Sequence, residues 1–242
     1  MRLKVVYKTS KIPSSYRMMM VSLIKMAIKD YNQELFEELY FFNEAKNKKS
    51  KDFTFSVFLK DYKKTKDEFI VDEITLNISS PNKRLMLNLY NALLKLNSYN
   101  YKNVYELNKS SINIVHKKNI NLDYAIFKTM SPVAIKNKDG RFLDIDSNEY
   151  KESLNYIVDT SLKNYRGFGL TEPINFIPIN MKKIVVKESI KSFNLKTNKD
   201  YIFINSYSGM FRLEGSPIDL NDIYMLGIGF RRNQGFGMID LV

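Results

Sequence analysis

The apolar positions in the first half of the chain change their period several times. In order, they predict a strand over 3–7, helices over 16–28 and 33–41, strands over 53–59 and 69–78, a helix from 80 onward, and a strand within 112–115. Pro13 and Ser14 or Ser15 stand before the first helix, as residues that start helices do. The order strand, helix, strand, strand, helix, strand is the ferredoxin-like pattern.

The second half repeats that order without a close repeat of sequence. It predicts a strand over 124–135, a helix over 148–162, strands over 184–190 and 201–213, a short helix over 217–224 and a closing strand over 235–242. Ser147 is the expected cap of the longer helix. We therefore expect an α+β fold of two tandem ferredoxin-like (RRM-like) domains, each βαββαβ, over 1–120 and 121–242.

The net charge of the chain indicates what kind of partner it binds. Lysine and arginine number 38 against 26 aspartate and glutamate residues, which gives a net charge of +12. Such an excess favours an acidic partner, either nucleic acid or a membrane surface. No apolar run reaches the length of a membrane span and the start lacks a signal-peptide core, so we expect no membrane contact and a cytoplasmic protein.

The chain has few residues that could bind a metal through a thiolate or an imidazole. The chain has no cysteine and one histidine, His116, which excludes thiolate zinc sites and two-histidine metal sites. We expect no metal and no cofactor. His116 follows the strand-like run 112–115 and is interpreted as a surface residue at a strand end.

Glycine is concentrated near the end of the chain. Four of the nine glycines lie in the run 227–237, together with two arginines, an asparagine and a glutamine. Glycine allows positive φ and close approach to a ligand, exposed amides bind phosphate, and arginine forks onto phosphate. A hairpin turn with solvated arginines is the alternative, but the doubled glycines and the basic charge favour RNA binding by Gly227, Gly229, Arg231, Arg232, Asn233, Gln234, Gly235 and Gly237.

The spacing G-h-G-x5-G-h-G of this run, with h apolar, resembles the signature of the RAMP superfamily of CRISPR-associated proteins. Three further landmarks occur in the family's order: Ile12-Pro13, Phe53-Thr54-Phe55-Ser56 and Thr129-Met130-Ser131-Pro132-Val133. Together they resemble the endoribonucleases of the sixth Cas family, which cut precursor CRISPR RNA. The resemblance implies two ferredoxin-like domains in tandem and repeat RNA, or precursor crRNA, as the partner.

The resemblance also implies a metal-free reaction, in which the 2′-hydroxyl attacks the adjacent phosphate with acid, base and cationic assistance. The family commonly uses a tyrosine, a histidine and a lysine. At these places the chain has Lys25, Tyr40 and Lys51. We expect Lys25 and Lys51 to stabilise charge at the phosphate and Tyr40 to orient the 2′-hydroxyl or weakly assist proton transfer.

The family's histidine is missing from this chain. The spacing of the family pattern also allows the histidine position to fall at Phe42, Asn43 or Ala45. Ala45 could then be a natural or a designed replacement of the histidine. Three hypotheses stay open: an endoribonuclease, a protein that holds repeat RNA without cutting it, and a structural RAMP subunit of an effector complex.

Several lysines near this segment are candidates for phosphate contacts. They are Lys29, Lys46, Lys48 and Lys49. A solvated loop is the alternative, because most charge runs are solvated. The sequence leaves open whether the chain forms a homodimer.

Overall fold

The computed structural model describes residues 1–42, 45–47, 49–189 and 200–242. The elements of the first half are β1 (Arg2–Lys8), β2 (Lys11–Pro13), α1 (Tyr16–Tyr31), α2 (Gln33–Tyr40), β3 (Phe41–Phe42), β4 (Ala45–Lys46), β5 (Thr54–Lys60), β6 (Lys63–Lys64), β7 (Glu68–Ile70), β8 (Glu73–Ser79), α3 (Lys83–Lys95), β9 (Ser98–Tyr101) and β10 (Tyr105–Val115). β3 and β4 form a two-stranded hairpin, and β2, β7 and β6 form a three-stranded sheet.

The main sheet of this half is antiparallel and five-stranded, in the order β5-β8-β1-β10-β9. Without its edge strand β9, the order is the ferredoxin-like one. Alternate residues of β1 point inward, so that Leu3 and Val5 are buried while Lys4 is exposed. The buried face meets α1, which packs against α3 and contributes Leu23 and Ile24 to the core.

The second half contains β11 (Tyr124–Thr129), α4 (Asn148–Arg166), β12 (Asn175–Glu188), β13 (Ile202–Glu214), α5 (Pro217–Leu226), a 3-10 turn (Arg232–Gln234) and β14 (Ile239–Leu241). Its four-stranded sheet has the order β12-β13-β11-β14, again ferredoxin-like. Ser147 caps α4, since its hydroxyl accepts a hydrogen bond from the Glu149 amide. The α+β fold with tandem ferredoxin-like halves is therefore confirmed.

Some boundaries differ from the sequence prediction. The strand expected over 124–135 ends at Thr129, because Ser131 and Pro132 turn the chain toward the C-terminal loop. The strand expected over 69–78 is split into β7 and β8, and the one expected at 184 begins at Asn175. Its predicted end, Ile190, lies outside the described residues.

The two halves are joined by side chains that hydrogen-bond across them. The Arg2 guanidinium lies 2.7 Å from an Asp240 carboxylate oxygen and donates to the Ile239 carbonyl at 2.8 Å. The Ser79 hydroxyl donates to the Met225 carbonyl at 2.9 Å. In the described part of the chain, no helix has both the length and the apolar character that a membrane span requires.

Candidate functional site

The sequence landmarks meet at one place between the two halves. The Thr54 hydroxyl donates to the Phe236 carbonyl at 3.0 Å, and the Ser131 hydroxyl donates to the Phe55 carbonyl at 3.3 Å. The Gly237 amide donates to the Pro132 carbonyl at 2.8 Å. We call this contact region the seam; it comprises the loop 227–237 and the 53–56 and 129–133 segments. The seam fixes how the halves meet.

Most of the glycine-rich loop is buried in the seam. Gly237 has φ +69°, and a Cβ there would lie 1.8 Å from the Ile228 carbonyl oxygen; at Gly227 it would lie 2.6 Å from the Gly237 oxygen. Loop amides that donate to protein carbonyls are those of Gly227, Ile228, Phe230, Gln234, Gly235 and Gly237. These six amides serve the protein's own packing, so the glycines there are required by close backbone contact.

The two loop arginines have different surroundings. Arg232 is 2% exposed, and its guanidinium donates to the Leu226 carbonyl at 2.8 Å and to the Ser50 hydroxyl at 3.1 Å. Burial lowers the pKa of Arg232 to about 10, against the opposing effect of Asp52. The expectation that Arg232 reaches RNA does not fit this interior position, because both ends of its guanidinium are engaged by protein.

Arg231 instead faces a cleft between the halves. It is half-buried in the left-handed conformation, with φ 61°, and donates to the Gln234 side-chain oxygen at 2.7 Å. Burial lowers the pKa of its guanidinium, while Glu188 acts in the opposite direction. Asn233, Gln234 and Gly229 line the same cleft. The loop therefore presents Arg231 outward while it holds Arg232 inside.

The cleft has a volume of about 1110 Å³ and brings the candidate catalytic residues together. Lys25 comes from α1, Tyr40 from the last turn of α2, and Lys51 from the segment before β5; Lys49 borders them. We call these four residues the lysine wall. The Tyr40 ring centroid lies 4.6 Å from the Lys25 ammonium and 5.6 Å from the Lys51 ammonium, so two cations lie near one ring.

Burial shifts the titration of two of these groups. It raises the pKa of the Tyr40 phenol, which therefore stays protonated at neutral pH. It lowers the pKa of Lys51, as does the nearby Lys25 charge, while Asp52 raises it. The Lys51 ammonium donates to the Asn47 and Lys49 carbonyls at 3.2 and 2.9 Å. The wall thus combines two ammonium groups with a phenol that keeps its proton.

Other predicted residues lie around or away from this cluster. Lys29 is exposed one turn beyond Lys25, 6.0 Å from the Phe36 ring, and does not line the cleft. Lys46 belongs to β4, paired with Phe41, while Ala45 pairs with Phe42. Lys48 and Asn43 lie outside the described residues. His116 is exposed just past β10 and does not line the cleft.

The opposite side of the cleft was not predicted. One face of α4 lines it, and we call that face the α4 wall; it comprises Glu149, Glu152, Ser153, Tyr156, Thr160 and Asn164. Lys136 and Lys138 from the preceding loop also border the cleft. The only sequence signal for this wall is a polar stripe on a predicted helix, and such a stripe does not say what it faces. In the described residues no group of three or more histidine, aspartate or glutamate side chains gathers in the way a metal site requires.

Two ferredoxin-like halves, joined through a buried glycine-rich loop beside a cationic cleft, define the class of protein to which this chain is compared. The family model described as CRISPR associated protein Cas6, C-terminal, matches residues 114–241, more than half of the chain. This chain belongs to the Cas6 family. No curated protein sequence matches the chain significantly.

Solved structures reproduce the fold over the whole chain. A Cas6-related protein from Pyrococcus furiosus has a TM-score of 0.82 at 19% identity, covering 100% of this chain and 98% of its own. A structure described as a RAMP protein binding different RNA substrates has a TM-score of 0.80 at 18% identity, and one described as CRISPR associated protein Cas6 has 0.74 at 22%; each covers 100% of this chain and 99% of its own. These likenesses establish the fold.

Proposed function

We propose that this chain binds CRISPR repeat RNA and cuts it once, through attack of a 2′-hydroxyl on the adjacent phosphate. Family membership supports the substrate class. A solved structure described as a Cas6 product complex has the same fold, with a TM-score of 0.68 at 11% identity. The observation that carries the reaction type is the proximity of the Lys25 and Lys51 ammonium groups to the Tyr40 ring, with all three residues lining the cleft.

The lysine wall suits the charge that develops in this reaction. When the 2′-oxygen bonds to phosphorus, negative charge accumulates on the phosphorane oxygens before the bond to the 5′-oxygen breaks. Lys25 and Lys51 would stabilise that charge, which a metal ion would otherwise do. The products are a 2′,3′-cyclic phosphate and a 5′-hydroxyl. The 2′-hydroxyl proton passes to water and the 5′-oxygen takes one from water, so the balance needs no further reactant.

Tyr40 has a narrower role than a general base. Because burial raises the pKa of its phenol, the phenolate is scarce at neutral pH. A protonated phenol can donate to a phosphate oxygen or to the 2′-oxygen and so orient the nucleophile. We therefore assign Tyr40 to orientation, and the reaction proceeds without the histidine that assists proton transfer elsewhere in the family.

The RNA backbone would be held at the edge of the cleft by Arg231 and Lys49. Both line the cleft and carry charge that phosphates neutralise. Asn233 and Gln234 lie beside Arg231 and can reach sugar hydroxyls or base edges. In this assignment a domain over 1–120 supplies the catalytic residues and a domain over 121–242 supplies the RNA-holding loop.

A second candidate function is RNA holding without cutting. It is favoured by the position of His116, the single histidine, which is exposed and does not line the cleft. The two functions differ only in whether the residues of the lysine wall are sufficient to cleave the RNA. Binding would be common to both, and cleavage would separate them.

The test incubates the full chain with labelled repeat RNA in excess EDTA, beside the same RNA with a 2′-deoxy nucleotide at the cut site. We expect one cut that persists in EDTA and disappears with the 2′-deoxy substrate. Cleavage abolished by EDTA would overturn the metal-independent reaction. Tight binding without any cut would establish the holding protein instead, and absence of binding would refute both functions.

A further inference from the structure

The α4 wall carries a feature that the cleavage reaction does not use. Ser153, Tyr156, Thr160 and Asn164 are spaced three and four residues apart, so they form one stripe along the helix. All four line the cleft that contains the lysine wall. Tyr156 is 61% exposed although it is a large aromatic residue, and it stands near the middle of the stripe. An aromatic ring presented to a nucleic-acid cleft is a platform on which a base can stack.

The charges of the two walls orient the RNA between them. Lys25, Lys49 and Lys51 attract phosphate, whereas Glu149 and Glu152 on the α4 wall repel it; the other lining lysines, Lys136 and Lys138, lie in the loop before α4. The sugar-phosphate backbone of a strand in the cleft would therefore follow the lysine wall. Its bases would project toward α4, because a base is neutral and can donate hydrogen bonds to carboxylates.

The polar side chains of the stripe are available to a ligand. The side chains of Tyr156, Thr160 and Asn164 make no hydrogen bond to any part of the chain that the structure describes. By contrast, Ser161, which also lines the cleft, donates its hydroxyl to the Ile157 carbonyl. Thr160 and Asn164 each offer a donor and an acceptor, which is what a base edge requires.

We infer that the α4 wall is a nucleobase site, in which Tyr156 stacks on an unpaired base of the repeat next to the scissile phosphate. Thr160 and Asn164 contact the edge of that base. The inference rests on the proposed function, because the phosphate on the lysine wall defines where the base lies. It adds a recognition element in the second half of the molecule, so that both halves contact the nucleotide at the cut.

The test combines a protein variant with a modified RNA. Tyr156→Ala should weaken repeat-RNA affinity about tenfold, a typical effect of losing one base–aromatic stack, while Tyr156→Phe keeps affinity within about twofold. Tyr62→Ala is the matched control, since Tyr62 is 53% exposed and does not line the cleft. Because Tyr156 is exposed, its truncation should leave the thermal midpoint unchanged.

Abasic nucleotides then locate the base. Each nucleotide within a few positions of the cut is replaced in turn by an abasic one, and affinity is measured with the parent chain and with Tyr156→Ala. One position should cost the parent about tenfold and cost the variant nothing further. Independent, additive losses at every position would overturn the inference, as would parent-like affinity of Tyr156→Ala.

Failure of the nucleobase site can be distinguished from failure of the proposed function. If the parent chain binds and cuts repeat RNA while Tyr156→Ala behaves like the parent, the nucleobase site alone is refuted. If the parent chain does not bind repeat RNA, the proposed function fails first. A loss of affinity for Tyr62→Ala as large as for Tyr156→Ala would show a general aromatic effect and would also refute the site.

Discussion

The seam and the lysine wall are neighbours, but most of the seam is buried between the halves whereas the lysine wall lines a cleft. The seam is buried, its loop amides donate to protein carbonyls, and its Arg232 is enclosed. The lysine wall lines a cleft, and its Lys25 and Lys49 are exposed while its Lys51 is buried. The glycine-rich motif thus belongs mainly to the architecture, while the proposed chemistry belongs to residues outside that motif.

The two regions are nevertheless connected. Arg232 of the seam donates to the Ser50 hydroxyl, and Ser50 directly precedes Lys51. Thr54 at the start of β5 donates to the Phe236 carbonyl in the loop. Through these bonds the interior loop of the second half positions the segment that carries Lys51 in the first half. In the proposed function, the seam would therefore act by positioning Lys51 rather than by contact with substrate.

The largest expected effect sharpens this distinction at a single glycine. In Gly237→Ala the added Cβ would meet the Ile228 carbonyl oxygen at 1.8 Å, at a φ of +69°. We expect a loss of at least about 4 kcal/mol in the free energy of unfolding, a size reserved for gross steric conflict. Denaturant unfolding measures it.

Gly167→Ala is the matched control for that variant. Gly167 ends α4 at φ +87°, and a Cβ there meets nothing within 4 Å. Its cost should be limited to backbone strain of about 1–2 kcal/mol. Equal destabilisation by both substitutions would show that close contact within the seam is unimportant.

The seam also shows which parts of the molecule local sequence can predict. Periodicity located α1 through apolar residues such as Leu23 and Ile24, and Ser147 marked the start of α4, because both signals are local. The burial of Arg232 had no such signal. Adjacent arginines among glycines look alike in sequence, and only the packing of the two halves turns one inward.

The candidate site could be predicted from the sequence only in part. Lys25, Tyr40 and Lys51 were reached through resemblance to a family pattern, and the structure brings them to one cleft. The facing residues, Tyr156 among them, were missed. They lie about a hundred positions further along the chain, and which helix faces which cleft is decided by tertiary contacts rather than by helical spacing.

The next effect concerns the chemistry of the lysine wall. Lys51→Ala should lower the single-turnover cleavage rate by roughly 10²–10³, the usual cost of removing a group that stabilises transition-state charge. Repeat-RNA affinity should fall only about fivefold, as for one lost phosphate contact. Lys29→Ala removes the same charge from an exposed position outside the cleft and should cut at the parent rate. Unchanged cleavage by Lys51→Ala would show that Lys51 has no part in the reaction.

A smaller effect separates the two loop arginines. Arg232→Met should cost about 1.5–3 kcal/mol of stability, since it removes charged hydrogen bonds to Leu226 and Ser50, and should leave the salt dependence of RNA binding unchanged. Arg231→Met should change stability by under about 1 kcal/mol. It should also reduce the slope of log affinity against log salt by about one. Thermal unfolding and binding titrations at several salt concentrations measure both, and a reversal of the two outcomes would contradict the division of the loop into an inner and an outer arginine.

The smallest expected effect concerns the charge of Lys51. Burial and the Lys25 charge lower the pKa of its ammonium below the ordinary 10.5. As pH rises toward that lowered pKa, Lys51 loses the proton that stabilises the phosphorane, whereas an arginine at this position keeps its charge. The ratio of the cleavage rate of the parent to that of Lys51→Arg should therefore fall by about two- to tenfold between roughly pH 7 and pH 10.

The ratio cancels the pH dependence that both proteins share, including ionisation of the 2′-hydroxyl, and reactions without protein correct for alkaline hydrolysis. A ratio that stays flat over this range would mean that the Lys51 charge does not contribute, and the lysine wall would then act through Lys25 and Tyr40.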